Sequence, residues 1–200
     1  MSNLIKKIFD MIFSLLGIII LSPIFLVTSL LIKLGSSGPV LYKGTRVGKN
    51  KKLFKMYKFR TMVINADKIG GPSTSKNDSR LTKIGKIIRK YKIDEIPQLI
   101  NVLKGEMSFV GPRPEVLEEV KTYTKEEKQI LKIKPGITDW ASIVFRNEGE
   151  ILKGSENPHK TYIEKIRPEK HRLEIKYVKN HNIFIDLKIL FKTILTILKG

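Results

Sequence analysis

Two adjacent carboxylates, Asp94 and Glu95, close the basic run RKYKIDEIPQ (residues 89–98) just ahead of Pro97. An ionised carboxylate beside a bound phosphate can act as a nucleophile and form an aspartyl-phosphate, or it can hold magnesium. The residue types leave both roles open, and leave either side chain to fill either role. A helix start, with Asp94 as N-cap and Glu95 in the first turn, accounts for the same pair without chemistry. Two further stretches suit a phosphate. In KFRTM (58–62), Lys58 and Arg60 fall on one face of a strand and can clamp a diphosphate; an edge strand defended by charge is the plainer account. In SFVGPRPE (108–115), Gly111 permits an unusual backbone, while Pro112 and Pro114 stiffen both neighbours of Arg113 and lower the entropic cost of presenting one guanidinium. A rigid turn explains that stretch equally well. Trp140, the single tryptophan, is assigned to core packing.

These groups need elements to hold them. Short β-like runs at 40–42 and 53–59 flank a turn region at 44–52 and predict a hairpin. From Leu81, apolar residues at 81, 84, 87, 88 and 91 follow helical spacing with basic residues largely outside the stripe. A second helix is expected from Asp94 to Gly105, a natural stop, and residues 115–132 and 159–178 also favour helix. Residues 70–78 form the clearest loop. The catalytic domain is therefore expected to be mainly α with a small β-hairpin, an α+β fold.

Composition narrows the partners. Lys and Arg number 38 against 19 Asp and Glu, a net +19, which directs attention to phosphates on nucleic acid, a nucleotide or an anionic membrane. The absence of cysteine excludes disulfides, thiol nucleophiles and cysteine zinc sites, and suits a cytosol-facing protein. The three histidines lie far apart without metal-ligand spacing.

Residues 11–32 carry no charge and would reach roughly 33 Å as a straight helix, just enough to cross the hydrocarbon core. Ser22-Pro23 interrupts them. Pro23 cannot donate to the carbonyl of Ile19, and the Ser22 hydroxyl is the natural substitute donor. Lys6 and Lys7 before the run, and Lys33 after it, draw both ends to the same cytoplasmic face. The expectation is a re-entrant helix (residues 1–36) that breaks at Ser22-Pro23 and returns, making the protein monotopic, with residues 37–200 as the cytosolic unit. A single kinked span is the alternative. At the C-terminus, Lys188, Lys192 and Lys199 fall within about 40° on a helical wheel and leave a broad apolar arc, the pattern of an interfacial helix. Packing on the core would use the same arc.

Taken together, Ser22-Pro23, Lys58 to Met62, Asp94 to Gln98, Asn101 to Ser108, Val110 to Pro114 and Pro135 to Thr138, in that order, resemble the monotopic phosphoglycosyl transferases, the bacterial sugar transferase family. The resemblance covers nearly the whole chain, at close to the minimal catalytic size. It implies transfer of a phosphosugar from a UDP-sugar to polyprenyl (undecaprenyl) phosphate with release of UMP and with Mg²⁺ as cofactor. By motif match Asp94 would be the nucleophile and a metal ligand, Glu95 its essential partner, and Arg89 and Arg113 contacts to phosphate, beside Lys58 and Arg60. It further implies an anionic phospholipid membrane as platform at the cytosolic face of the bacterial inner membrane, downstream glycosyltransferases as partners, and no nucleic acid. Asp139-Trp140-Ala141-Ser142 departs from the Gly-Trp-Ala-Gln of many members, which bears on the sugar. The rival readings are a membrane-bound Mg²⁺-dependent pyrophosphatase acting on nucleotide-sugars or lipids, and a basic membrane adaptor without enzymatic activity.

Overall fold

The computed structural model describes residues 3–70, 75 and 77–198; most of the expected 70–78 loop, and Lys199, lie outside the described residues. The chain begins with α1 (Asn3–Ile20) and α2 (Ser22–Gly35), which meet at a bend of 60°. No single helix among the described residues is long and apolar enough to cross a membrane. At the break the Ser22 hydroxyl donates to the Ile19 carbonyl at 2.8 Å, and Pro23 falls in the first turn of α2, where a missing N–H costs no helical bond.

The hairpin follows as β1 (Leu41–Val47) paired antiparallel with β2 (Leu53–Phe59), Tyr42 opposite Lys58 and Arg46 opposite Phe54. The turn is tighter than expected, because Asn50 and Lys51 adopt positive φ and reverse the chain within residues 48–52. After α3 (Ala66–Ile69), the amphipathic helix α4 (Lys83–Lys90) starts on a Thr82 cap bonded to the Gly85 N–H. Lys92, in the left-handed region, turns the chain into a 3₁₀ turn, Ile93–Glu95, and α5 (Gln98–Leu103) then ends at Gly105 with φ +75°. The expected continuous helix from Asp94 is thus two pieces, and Asp94 caps neither. Pro97, with αR backbone angles, stands at the N-cap of α5 instead.

A parallel pair, β3 (Ser108–Val110) with β4 (Gly136–Thr138), went unforeseen in the sequence because each strand is only three residues long. Between them the expected helix at 115–132 reduces to α6 (Leu117–Lys121) and a 3₁₀ segment, Glu127–Lys132. The remainder is α7 (Trp140–Val144), α8 (Glu148–Ile151), α9 (Pro158–Thr161), a π-helical turn at Tyr162–Ile166, α10 (Arg167–Asn180) and α11 (Ile183–Leu198). The result is mostly helical with small two-stranded sheets. Helix α11 packs Ile189 against Val110 and Tyr177, with Trp140 alongside and Lys192 over the indole, while Phe184, Phe191 and Leu198 stay exposed.

The bent N-terminal helix pair is tied to the rest by polar bonds. Asp10 of α1, 3 % exposed, accepts from Ser108 Oγ and the Phe109 N–H, both at 3.2 Å, and Lys6 pairs with Asp186 of α11. Gly17 lets α1 approach α5, since a Cβ there would meet Leu99 at 3.2 Å. Along α1, α2 and α11 many large apolar side chains remain uncovered, among them Ile20, Leu26, Leu34 and Phe184.

Candidate active site

Three chain segments bring their charges to one place. β2 supplies Lys58, the 3₁₀ turn supplies Asp94 and Glu95, and the Pro112–Glu115 loop supplies Arg113. Asn101 of α5, fully buried, fixes the first two relative to each other: its side chain accepts from the Tyr57 N–H at 2.9 Å and donates to Lys55 O at 2.8 Å and Glu106 at 2.7 Å. This amide therefore staples the helix after the acidic pair to the strand that carries Lys58. It explains the Asn101 to Ser108 motif as a support, a role the sequence alone did not reveal.

Arg113 is held by backbone. Gly136 N–H donates to Pro112 O at 2.9 Å and Gly111 N–H to Thr138 O at 3.1 Å. The two glycines touch, so that a Cβ on Gly136 would lie 2.1 Å from Gly111 N. Gly111 is needed for this close approach rather than for an unusual φ, since it is absent from the positive-φ residues. Gly136→Ala is expected to destabilise the protein by about 3 kcal/mol, because the obstacle is backbone that cannot rotate away; thermal unfolding reads the loss. Behind the loop, the Arg113 N–H donates to Glu174 Oε1 at 3.3 Å.

Within the site the two carboxylates differ. Glu95 Oε1 accepts from Arg113 Nη2 at 2.6 Å and from Lys58 Nζ at 2.9 Å, so it bridges two cations. Burial alone would raise its carboxyl, but Arg113 and Lys58 outweigh burial and hold Glu95 well below the usual carboxylate range. Asp94, 6 % exposed, has only a distant ion pair, Oδ2 to Lys58 Nζ at 3.9 Å, and its Oδ1 is buried with no hydrogen-bond partner. Burial raises the Asp94 carboxyl, Lys58 opposes this, and the neighbouring Glu95 charge adds to it. One turn further on, Gln98 Nε2 is another buried polar atom without a partner, and the sequence reading passed it over. Unsatisfied buried groups are rare, and an orphan acceptor and an orphan donor on neighbouring turns suit a polar ligand.

Arg89, at the end of α4, lies within electrostatic reach of Asp94, and its guanidinium makes no ion pair among the described residues. Lys92, which the sequence reading also missed, acts on both carboxylates from the left-handed turn. Arg60 is not part of this group. Its Nε, Nη1 and Nη2 donate to the carbonyls of Pro39, Ser37 and Ser36 at 2.7, 2.6 and 3.0 Å, and the residue is 7 % exposed. The strand ends at Phe59, so alternation no longer places Arg60 beside Lys58, and the expected two-cation clamp does not form. Arg60 instead closes the link from α2 to β1.

No cluster of three or more acidic or histidine side chains forms a cage for a metal among the described residues. That composition still fits magnesium, which binds phosphoryl-transfer sites through one or two carboxylates, substrate phosphates and water. Asp94 would be the carboxylate to hold it, since Glu95 is already engaged by its two cations.

Across residues 1–200 the sequence matches the family described as bacterial sugar transferase. It is 39% identical over 199 residues to a UDP-N-acetylgalactosamine-undecaprenyl-phosphate N-acetylgalactosaminephosphotransferase of Aeromonas hydrophila, covering 98% of this chain and 44% of that protein. It is 35% identical over 204 residues to a UDP-glucose:undecaprenyl-phosphate glucose-1-phosphate transferase of Escherichia coli, covering 100% of this chain and 40% of the relative. With exopolysaccharide production protein PSS of Rhizobium leguminosarum the identity is 39% over 210 residues, covering 98% and 96%. The chain thus spans less than half of the first two relatives and nearly all of the third.

Proposed function

The chain belongs to the bacterial sugar transferase family, and from that premise we propose that it moves a phosphosugar from a UDP-sugar to undecaprenyl phosphate, releasing UMP. One observation carries the assignment of roles: of two adjacent buried carboxylates, Glu95 is neutralised by Lys58 and Arg113, whereas Asp94 keeps an unpartnered oxygen. Asp94 attacks the phosphorus that bears the sugar. A bond forms from the carboxylate oxygen to phosphorus, the bond from that phosphorus to the oxygen of UMP breaks, and UMP leaves with the electron pair. A phosphate oxygen of the lipid acceptor then attacks the same phosphorus and frees Asp94. Phosphoryl transfer asks chiefly for positioning and charge neutralisation. Arg113, Lys58, Arg89 and Lys92 surround the carboxylates with positive charge that offsets repulsion from the diphosphate. Glu95 keeps Lys58 and Arg113 in place. Magnesium, when bound, would neutralise further charge on the donor's phosphates.

The uncovered apolar surface of α1, α2 and α11 supports a membrane platform on the cytosolic side, with α1 and α2 dipping into one leaflet and returning. The bonds from Asp10 to β3 and the seat of Gly17 on Leu99 couple that helix pair to the helix following Asp94. A lipid-linked phosphate confined to the headgroup plane would thereby meet the carboxylate at constant height. Because the chain has no cysteine, a single one introduced at residue 3 reports sidedness cleanly. Labelling from the cytosolic side is expected, and labelling only from the periplasm would overturn the re-entrant arrangement.

The transferase reading is tested by incubating the protein with UDP-sugars labelled in the sugar and in the sugar-linked phosphate, without lipid acceptor. A covalent adduct on Asp94 with stoichiometric UMP is expected, followed by transfer of the label once undecaprenyl phosphate is added. UMP without any adduct or lipid product would point to hydrolysis instead.

A further inference from the structure

Strand β1 carries a polar face that the scheme above leaves unused. Tyr42, Gly44 and Arg46 alternate onto one side of the hairpin, the side to which Lys58 also points because it is paired with Tyr42. At its other end β1 is bonded to the loop that carries Arg113, since the Val47 N–H donates to Glu115 O at 2.9 Å. The face therefore begins beside Lys58 and ends at the backbone of the loop that carries Arg113. Four residue steps along a strand span about 13 Å, more than one phosphate group requires.

The side chains on this face lean together over Gly44. Where a Gly44 Cβ would stand, the Tyr42 ring is 2.8 Å away, Arg46 Nη1 3.0 Å and the Tyr42 hydroxyl 3.1 Å, so only glycine lets the pair close up. Arg46 is half-buried and forms no ion pair among the described residues; its Nη1 donates to the neighbouring Thr45 carbonyl at 2.9 Å. Glu115, the acid whose charge acts on Arg46, is occupied by the hydroxyls of Tyr123 and Tyr162 at 3.0 and 2.7 Å. Burial disfavours the Arg46 charge, the Tyr42 hydroxyl offsets part of this, and the nearby Arg113 adds to the cost. Arg113 has Glu95 at 2.6 Å, whereas Arg46 feels Glu115 only from beyond ion-pair distance, so Arg46 is the cation left to meet an anion. Tyr42, 47 % exposed, adds an open aromatic surface beside the unmatched cation.

We infer that Tyr42, Gly44 and Arg46 form the seat for the nucleoside monophosphate half of the donor, Arg46 gripping its phosphate and the Tyr42 ring lying against its base. The inference rests on the transferase reading and extends it to the leaving group. Arg46 holds the phosphate that departs as UMP, while Arg113, Lys58 and Glu95 address the phosphorus attacked by Asp94. Arg46 would then stabilise charge as it gathers on the leaving oxygen.

Direct binding to the full-length protein separates this inference from the reading beneath it. UMP and inorganic phosphate are titrated against the detergent-solubilised wild type, Arg46→Met and Tyr42→Leu, with thermal unfolding of each as control. Arg46→Met is expected to weaken UMP about tenfold or more, and Tyr42→Leu about tenfold with inorganic phosphate unaffected. Tyr42 is half-exposed, so its variant keeps the test alive should Arg46→Met fail to fold. UMP affinity independent of both side chains in folded variants, or no UMP binding by the wild type, overturns the inference. Binding that depends on Arg46 in a protein that never forms the phosphosugar adduct leaves the nucleotide seat standing and removes the transferase reading alone.

Discussion

Asp94→Asn is expected to leave a folded protein whose capture of labelled phosphosugar falls by on the order of 10⁴ or more. The amide occupies the same space but offers no anionic oxygen to phosphorus. Stability should move the other way. Burial raises the Asp94 carboxyl above its unfolded value of about 3.9, so the ionised side chain is less favourable folded than unfolded. That penalty grows as pH climbs from the unfolded value through the raised one and is complete only above the raised one. Asparagine does not ionise and avoids it, while Lys58 keeps its 2.9 Å partner in Glu95. An unfolding temperature equal to or above that of the wild type is therefore expected at neutral pH. The same shift governs turnover: adduct formation needs the ionised carboxylate, so its acid limb should have a midpoint above about pH 4. A variant that retains labelling would remove Asp94 from the chemistry.

Glu95→Gln is expected to reduce both activity and stability. The substitution leaves Lys58 and Arg113 facing each other with no carboxylate between them, in a site where Glu95 is 14% exposed and Lys58 17%. Breaking a buried ion pair from one side costs about 3–5 kcal/mol; the partial exposure of Arg113, at 31%, lowers this to about 2 kcal/mol. Turnover should drop on the order of 10²-fold, because cations that shift by an ångström no longer neutralise the diphosphate in place. The stabilised but inert Asp94 variant and the destabilised Glu95 variant form a paired readout. If the stability effects were exchanged between them, the roles given to the two carboxylates would be exchanged as well.

The Asp94-Glu95 pair illustrates how far the residues could be read. Their adjacency, the basic run and Pro97 marked a place for phosphate chemistry, yet nothing in that local order distinguished one acid from the other. The difference comes from Lys58 and Arg113, which lie 37 and 18 residues from Glu95 in sequence and meet on its carboxylate. Arg60 shows the converse. In sequence it matched Lys58 as a phosphate clamp, and only the end of β2 at Phe59 turned it toward the carbonyls of residues 36, 37 and 39. Gly111 matters for a different physical reason from the backbone freedom its sequence context suggests, since the contact it permits is with Gly136, a residue on a strand too short to announce itself.

From the sequence alone came those properties that depend on neighbours along the chain. The uncharged run broken at Ser22-Pro23, the donor that replaces the lost N–H there, the hairpin, the helix stop at Gly105 and the positive charge are all local, because helix and turn preferences act over a few residues. Tertiary structure decided which polar atoms are left over. Asp94 Oδ1 remains unpartnered, Glu95 is neutralised and Arg60 is consumed by backbone carbonyls, since burial and pairing depend on groups brought together from distant segments. A side chain's reactivity is set by what surrounds it in space, and sequence order does not list those surroundings.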